Sequence, residues 1–323
     1  LAIGVTPDTV LAKEAGLELG IKESIVVNDR METSVPDIYA AGDAVQVKHY
    51  VTGNDALISL AGPANKQGRI IADNICGGDS RYLGSQGSSV IKVFDMTAAT
   101  TGINETNAKK SGLEVDTVIL SPMSHAGYYP GGKVMTMKVI FEKESYRLLG
   151  AQIIGYEGVD KRIDVLATAI HAGLNANQLK DLDLAYAPPY SSAKDPVNMA
   201  GFMIDNIAKG TLKQWHLEDM DKISKDKDVV LLDVRTVGEF SRGHIDGFKN
   251  IPVDELRERI SEIEKGKPVY LICQSGLRSY IASRILEGNG YETYNFSGGF
   301  RFYDAVVNDR ALIERAYACG MDY

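Results

Sequence analysis

Cysteine is scarce in this sequence, as are long apolar runs and any excess of basic charge, and each scarcity excludes a class of protein. Three cysteines in 323 residues are too few for a disulfide framework. The net charge of −8 argues against a general binder of nucleic acid or membrane surfaces. No apolar run approaches the ~20 residues of a membrane span. We therefore expect a cytoplasmic protein that binds neither nucleic acid nor a membrane.

The hydrophobic pattern divides the chain into parts of different character. Residues 1–80 contain short strand and helix signals, including two β-rich runs within 24–45. Residues 86–205 alternate in the manner of an antiparallel sheet and end in amphipathic helices, which predicts an α+β domain. After a linker at 206–217, strands and helices alternate over 218–323, with helices expected over 253–266 and from near Ser279, which predicts a small α/β domain with a parallel sheet.

One cysteine lies between a strand and a helix of this last domain, in the stretch "PVYLICQSGLRSYIAS" at 268–283. The residues after Cys273 can form a cradle of backbone N–H groups, with Gly276 supplying an unusual dihedral angle and Arg278 a positive charge. Such a cradle favours a thiolate or a persulfide anion. The alternative is a buried structural cysteine.

Three stretches of this domain resemble a single-domain rhodanese: "LLDVRTVGEFSRGHIDGFKNIP", "LICQSGLRS" and "NFSGGF". The resemblance covers residues 218–310 and implies that Cys273 accepts and donates sulfane sulfur. It assigns Asp233, Arg235 and His244 to the family signature, where we expect them to brace the fold.

The stretch "TSVPDIYAAGDAV" at 33–45 ends an apolar run with a glycine and an aspartate. Gly42 allows a close approach of the backbone to a ligand, and Asp43 is either a binding carboxylate or a helix N-cap. The stretch resembles the second flavin-binding motif of the pyridine nucleotide–disulfide oxidoreductases. This resemblance covers residues 1–205 and implies that Asp43 accepts a hydrogen bond from the ribityl chain of FAD. It also implies that residues 1–80 are the C-terminal part of an FAD/NAD-binding α/β domain and residues 86–205 a dimerisation domain.

Two features of this oxidoreductase family are missing from the sequence. The sequence contains no G-x-G-x-x-G, the motif of the FAD and NAD pyrophosphate loops in that family. The redox cysteine of the family also has no counterpart, because Cys76, at a predicted helix end, has a different context and is interpreted as structural. We therefore expect the chain to be the carboxy-terminal portion of a longer flavoenzyme.

Three further stretches resemble the branch of NADH oxidases, NADH peroxidases and coenzyme A-disulfide reductases. They are "SLAGPANKQGRIIADNI", "HAGYYPGG" and "YAPPYSSAKDPVNMAG". The first places Leu60 and Ala61 among the cofactor-binding residues. The other two imply that Tyr128 and Tyr186, with Tyr129 a rival to Tyr128, reach the active site of a partner subunit in a homodimer. The alternative is aromatic packing at a dimer seam.

Lys161 and Arg162 follow each other at the start of a predicted helix. Such a pair is usually a solvated face, but in an acidic protein it can also contact the phosphates of coenzyme A. The histidines show no ligand spacing with cysteines or carboxylates, so no metal site is predicted.

Taken together, the resemblances predict a homodimeric NADH-dependent reductase of persulfides, polysulfides or coenzyme A disulfide, which uses FAD and coenzyme A and carries a rhodanese domain. One alternative is an NADH oxidase or peroxidase with the same appended domain. A second is a fragment that dimerises and transfers sulfur without redox chemistry.

Overall fold

The computed structural model describes residues 4–318, and these form three successive groups of secondary structure. The helices are Val10–Glu14 (α1), Ala61–Ile75 (α2), Glu105–Lys110 (α3), Val159–His171 (α4), Pro196–Ala208 (α5), Met220–Ile223 (α6), Val237–Arg242 (α7), Leu277–Glu287 (α8) and Gly299–Ala318 (α9). The strands are Val47–Lys48 (β1), Asp55–Ala56 (β2), Ser89–Val93 (β3), Met96–Gly102 (β4), Val115–Leu120 (β5), Met135–Glu142 (β6), Leu148–Gly155 (β7), Gln214–Trp215 (β8), Val230–Asp233 (β9), Lys249–Asn250 (β10), Val269–Ile272 (β11) and Thr293–Phe296 (β12). None of these helices is both long and apolar enough to cross a membrane.

The first group is built around α2, which packs beside the short hairpin of β1 and β2. Pro63 lies in the first turn of α2, where its missing N–H costs no helical hydrogen bond. The two β-rich runs predicted within 24–45 do not form strands. They make isolated bridges instead, Ile25 with Leu19 and Val45, and Glu32 with Tyr39.

The second group is a five-stranded antiparallel sheet in the order β3-β4-β7-β6-β5, with α4 and α5 over one face. The helix α4 buries Ile163, Leu166 and Ile170 every third or fourth residue, as its amphipathic pattern predicts. Each such side chain contributes ~1.5–3 kcal/mol when it leaves water completely. The predicted α+β domain with an antiparallel sheet is thereby confirmed.

The third group is a parallel sheet in the order β10-β9-β11-β12-β8. This confirms the predicted small α/β domain with a parallel sheet. Its strand β8 lies within the segment 206–217 that the sequence assigns to a linker, and α5 extends into the same segment as far as Ala208. The two residues of β8 escape recognition because so short a strand leaves no alternating pattern to detect.

The helix predicted over 253–266 is wrong, because the segment forms turns and one 3₁₀ turn at Ile260–Glu262. The hydroxyl of Tyr291 donates to the carbonyls of Ile260 and Ile263 at 3.3 and 3.1 Å. Leu256 and Ile263 are both buried from this irregular backbone. Tertiary contacts therefore determine the conformation of this segment, because intrinsic helix propensity is only a weak indication of a helix.

Candidate functional site

Cys273 directly follows β11, the central strand of the parallel sheet, at the edge where the carboxyl ends of the strands meet. Its side chain is buried, with 1% of its surface exposed. The sulfur accepts hydrogen bonds from the backbone N of Gly276 at 3.1 Å and from Oγ of Ser279 at 3.2 Å. Two donors at one sulfur stabilise a thiolate or a persulfide anion more than they stabilise a neutral thiol.

The turn that carries these donors depends on glycine. Gly276 has φ of +99° immediately before α8, which begins at Leu277 rather than near Ser279 as expected. Its carbonyl is held by Nδ2 of Asn295 at 3.1 Å, a contact from the neighbouring strand β12. The cradle is thus fixed by the sheet as well as by its own sequence.

A second turn, at the start of α9, closes over the cysteine loop. The N–H of Phe300 donates to the carbonyl of Cys273 at 2.8 Å, and that of Arg301 to Gln274 at 3.1 Å. A Cβ at Gly299, where φ is +68°, would lie 2.7 Å from the Gln274 oxygen and 2.8 Å from the Cys273 oxygen. Only glycine allows this close approach of two backbones.

Arg278 forms a bidentate ion pair with Glu239, in which both nitrogen–oxygen distances are 2.7 Å. The guanidinium lowers the pKa of the Glu239 carboxyl to about 2, and the same hydrogen bonding raises the pKa of Arg278. Glu239 also closes the capping box of α7 with Thr236. The positive charge predicted beside Cys273 is therefore shared with a carboxylate that anchors α8 to α7.

Asp233 and Arg235 form a buried ion pair at 2.6 Å, and the guanidinium lies 3.8 Å from the ring centre of Phe300. Arg235 also donates to the carbonyl of Gly243 at 2.8 Å, beside His244, whose ring stacks on Phe240. These contacts join the ends of several loops, which agrees with the bracing role expected for the three signature residues.

The two tyrosines singled out in the antiparallel domain lie together. The hydroxyls of Tyr128 and Tyr186 are 2.7 Å apart, although 58 residues separate them in the chain. Both rings are largely open, with 76% and 45% of their surfaces exposed. The hydrogen bond with Tyr128 raises the pKa of the Tyr186 phenol. Tyr129 instead packs edge-on against His125.

Tyr186 borders a cleft of about 530 Å³ between the start of α4 and two loops. The lining residues are Ser124, His125, Glu157, Gly158, Lys161, Arg162, Ala185, Tyr186, Ala187, Pro189 and Tyr190. His125, Tyr190 and Asp195, which lies beneath the cleft, are not singled out by the sequence, because their chain positions match no local motif. The cleft combines phenols, an imidazole, a lysine and the Glu157 carboxylate with apolar walls, and so suits a ligand that has both apolar and polar parts.

Arg162 corrects the expectation of a solvated pair, because its side chain is only 1% exposed. Its guanidinium donates to Oδ2 of Asp195 from Nε at 3.2 Å and from Nη2 at 2.9 Å. It also donates to the carbonyl of Ser124 at 3.0 Å and to that of Gly158 at 3.2 Å. Most of its donors are engaged inside the protein, and Arg162 holds the floor of the cleft.

Lys161 has the opposite environment. It is half-buried at the cleft and forms no ion pair within residues 4–318. Of the two cations that the sequence proposes for coenzyme A phosphates, Lys161 is the one without an ion-pair partner in the described residues.

In the first group, Gly42 and Asp43 lie in a 3₁₀ turn at Gly42–Ala44. Gly42 has φ of +85° and donates its N–H to Oε1 of Gln67 on α2 at 2.7 Å. Asp43 is exposed, and its carboxylate has no hydrogen-bond partner in the described part of the chain. Because the turn does not lead directly into a longer helix, the N-cap alternative for Asp43 is not supported.

Leu60 and Ala61 occupy the N-cap and first position of α2, and no side chain caps the free N–H groups there. A free carboxylate and an uncapped helix start suit a ligand with hydroxyl and anionic groups, so these residues fit a flavin nucleotide. Cys76 caps the other end of α2 and is exposed. Within residues 4–318, no cluster of three His, Cys, Asp or Glu side chains forms a metal site.

Three family models match successive parts of the chain. Residues 1–68 match the pyridine nucleotide-disulphide oxidoreductases, residues 88–196 the dimerisation domain of those enzymes, and residues 216–305 the rhodanese-like domain. Among curated proteins, the chain is 38% identical over 197 residues to the "NAD(P)H sulfur oxidoreductase (CoA-dependent)" of Pyrococcus abyssi. It is 35% identical over 201 residues to the "Coenzyme A disulfide reductase" of Staphylococcus aureus. These alignments cover 61% and 62% of this chain.

Two solved structures are similar over nearly the whole chain. A reduced CoADR-RHD of Bacillus anthracis has a TM-score of 0.93 and 49% identity over 96% of this chain. A NAD-dependent persulfide reductase from A. fulgidus has a TM-score of 0.85 and 42% identity over 93%. The chain spans 56% and 55% of those two proteins, and 44% and 45% of the curated relatives above.

Proposed function

Because this chain joins the dimerisation domain of the pyridine nucleotide-disulphide oxidoreductases to a rhodanese-like domain, we propose that it belongs to a reductase of sulfur–sulfur bonds. Its substrates would be persulfides, polysulfides or the disulfide of coenzyme A, with NAD(P)H as the reductant. The observation that carries this proposal is the sulfur of Cys273, held by two hydrogen-bond donors at the mouth of a parallel sheet.

Cys273 acts as the sulfur carrier. Its thiolate attacks the outer sulfur of a donor such as thiosulfate, the S–S bond breaks, and sulfite leaves with the bonding electron pair. The product is a cysteine persulfide, whose terminal sulfur then passes to an acceptor nucleophile and regenerates the thiolate. The N–H of Gly276 and the hydroxyl of Ser279 stabilise the anion before transfer.

Tyr128 and Tyr186 serve the reductive half of the reaction. Reduction of a persulfide gives a thiol and hydrogen sulfide, so a leaving thiolate must gain a proton. A tyrosine phenol is protonated at neutral pH, so Tyr186 can donate through its hydroxyl, and the hydrogen bond with Tyr128 holds that hydroxyl in place. Because both rings are exposed on this chain, we infer that a second copy supplies the surface against which they work, in a homodimer.

The cofactor assignments rest on the residues that fit them. Asp43 and the start of α2 would hold FAD, which supplies the transfer of electrons from nicotinamide to a disulfide when it is bound. Lys161 would contact an anionic group of coenzyme A at the cleft. The small number of cysteines and the exposed thiol of Cys76 suit a reducing cytoplasm.

The test uses a matched pair of cysteine variants. Cys273→Ser should reduce sulfur transfer from thiosulfate to cyanide to background, since the hydroxyl does not ionise near neutral pH. Cys76→Ser should keep the wild-type rate, because Cys76 lies at a helix end with no donor cradle. Activity that survives in Cys273→Ser would assign the carrier to Cys76 or to Cys319, which lies outside the described residues.

The reductase assignment needs its own measurement. In a polypeptide of the relatives' length that contains this chain, consumption of NADH with a persulfide or coenzyme A disulfide should exceed consumption with oxygen or hydrogen peroxide. Faster turnover with oxygen or peroxide would favour the NADH oxidase or peroxidase alternative. No consumption of NADH with any of them would favour sulfur transfer without redox chemistry.

A further inference from the structure

The outer edge of the antiparallel sheet faces the parallel-sheet domain. Strand β5 is the last strand of its sheet, and its free backbone groups meet side chains of the other domain. The carbonyl of Thr117 accepts from Nε2 of Gln214 at 2.8 Å, and the N–H of Ile119 donates to Oγ of Ser297 at 3.1 Å. An exposed edge of this kind would otherwise leave these groups to water or to another strand.

A third contact fixes the position of this interface. Oδ1 of Asp116 lies 3.0 Å from Nε2 of His216 and 3.2 Å from Nε2 of Gln214. The edge of β5 is therefore held at several points by the segment around β8 and by Ser297. These contacts join the two domains along the edge of β5.

Ser297 differs from the other residues of this interface because it begins the turn that leads to the cysteine loop. Its side chain is only 3% exposed, and its N–H donates to the carbonyl of Trp215 at 3.0 Å. Two residues later, Gly299 lies against the backbone of the cysteine loop. The next residue, Phe300, donates its N–H to the carbonyl of Cys273.

We propose that Ser297 is a positioning residue for Cys273, through which the dimerisation domain holds the sulfur-transfer loop in place. The proposal rests on the proposed function of Cys273 as a sulfur carrier. The contacts run from Ile119 to Ser297, along the turn to Gly299, and from that turn to the cysteine loop. Loss of the Ser297 hydroxyl removes the side-chain contact between this turn and β5 and leaves the N–H of Ile119 without its acceptor, while the backbone bond from Ser297 to Trp215 remains.

The experiment measures formation of the Cys273 persulfide directly, on the full 323-residue chain. Mixing the protein with excess thiosulfate releases a burst of sulfite, whose amplitude counts active sites and whose rate constant reports attack by Cys273. Ser297→Ala should lower this rate constant about 3- to 10-fold, as expected from the loss of one buried hydrogen bond, and keep the amplitude of wild type. Ser297→Thr, which keeps a hydroxyl, should recover most of the rate.

A matched control separates positioning from general weakening of the interface. Gln214→Ala removes a side-chain contact of the same interface, to Asp116 and Thr117, and keeps the backbone pairing of β8 with β12, so its burst should stay within about twofold of wild type. The proposal is overturned if Ser297→Ala also stays within twofold. It is equally overturned if Gln214→Ala slows the burst as much, or if the amplitude of Ser297→Ala falls in step with its activity.

A second readout keeps this test independent of the proposed function. If the wild-type chain releases no sulfite, the proposed sulfur transfer from thiosulfate is wrong. The rate at which iodoacetamide alkylates Cys273 would still report how firmly its loop is held. Alkylation, followed at the Cys273 peptide by mass spectrometry, should be severalfold faster in Ser297→Ala than in Gln214→Ala. Equal rates would show that Ser297 does not position the cysteine.

Discussion

Replacing Arg162 by methionine tests how the tyrosine cleft is built. The guanidinium lies under both loops that carry the tyrosines, since Nη2 donates to the carbonyl of Ser124 and to Oγ of Ser191, each at 3.0 Å. The N–H of Ala126 also donates to the carbonyl of Ser191 at 2.9 Å, which joins the two loops directly. Methionine fills most of the same volume and removes every one of the guanidinium contacts.

The magnitude follows from what the substitution leaves behind. Asp195, with a side chain that is 4% exposed, would keep its bonds from Ser191 and from the N–H of Val197 but lose its counter-charge. Breaking a buried ion pair from one side costs ~3–5 kcal/mol, because the remaining charge is buried without compensation. For a domain of this size each kcal/mol lowers the melting temperature by roughly 3–6 °C, so we expect a fall of at least about 10 °C.

Differential scanning calorimetry can assign that fall to one domain. The transition of the antiparallel domain should move, and that of the parallel-sheet domain should stay in place as an internal control. The double variant Arg162→Met with Asp195→Asn should be more stable than Arg162→Met alone, because the unpaired charge is gone while the amide oxygen can still accept from Val197. A shift below about 3 °C in Arg162→Met, or no recovery in the double variant, would refute the reasoning.

Three further outcomes are expected. Tyr186→Phe should lower kcat of persulfide reduction by ~10²–10⁴-fold, with the melting temperature and the thiosulfate reaction unchanged, if the phenol is the proton donor; an unchanged kcat would leave it a packing residue. The depressed pKa of Glu239 adds stability above its ordinary value of 4.5, and that stability is lost as the pH falls toward about 2. The free energy of unfolding of Glu239→Gln, measured in urea, should therefore fall less than that of wild type as the pH is lowered. Identical pH profiles for the two proteins would contradict the assignment. Gly299→Ala should abolish the sulfite burst, because its Cβ would lie 2.7 Å from the Gln274 oxygen; a normal burst would show that the turn can move away.

The features that the sequence predicts well are local ones. The position of Cys273 between a strand and a helix follows from a short apolar run, a glycine and the beginning of an amphipathic pattern. The buried face of α4 likewise follows from its own periodicity. Each depends on residues within one or two turns of each other, so no knowledge of distant partners is needed.

The features that the sequence misses depend on partners far away in the chain. Arg162 resembles a surface cation until Asp195, 33 residues later, is placed beside it. Glu239 has no visible relation to Arg278, 39 residues away, because it fits a capping box equally well. The charge pattern along the chain does not show which charged side chains form ion pairs in the folded protein. Such pairing determines whether a charged residue stabilises the fold or is free to bind a ligand.

The exposure of the tyrosine pair has a consequence for where its chemistry takes place. In water, a hydrogen bond between two phenols competes with solvent, and a general acid gains little from its neighbour. Tyr128 and Tyr186 are 76% and 45% exposed, so in a single chain water reaches both hydroxyls. When a second surface excludes water, the bond between the hydroxyls fixes the direction in which Tyr186 presents its proton, and every polar contact in the cleft strengthens. Proton donation by this pair should consequently depend on protein concentration wherever association is reversible, while sulfur transfer at the buried Cys273 should not.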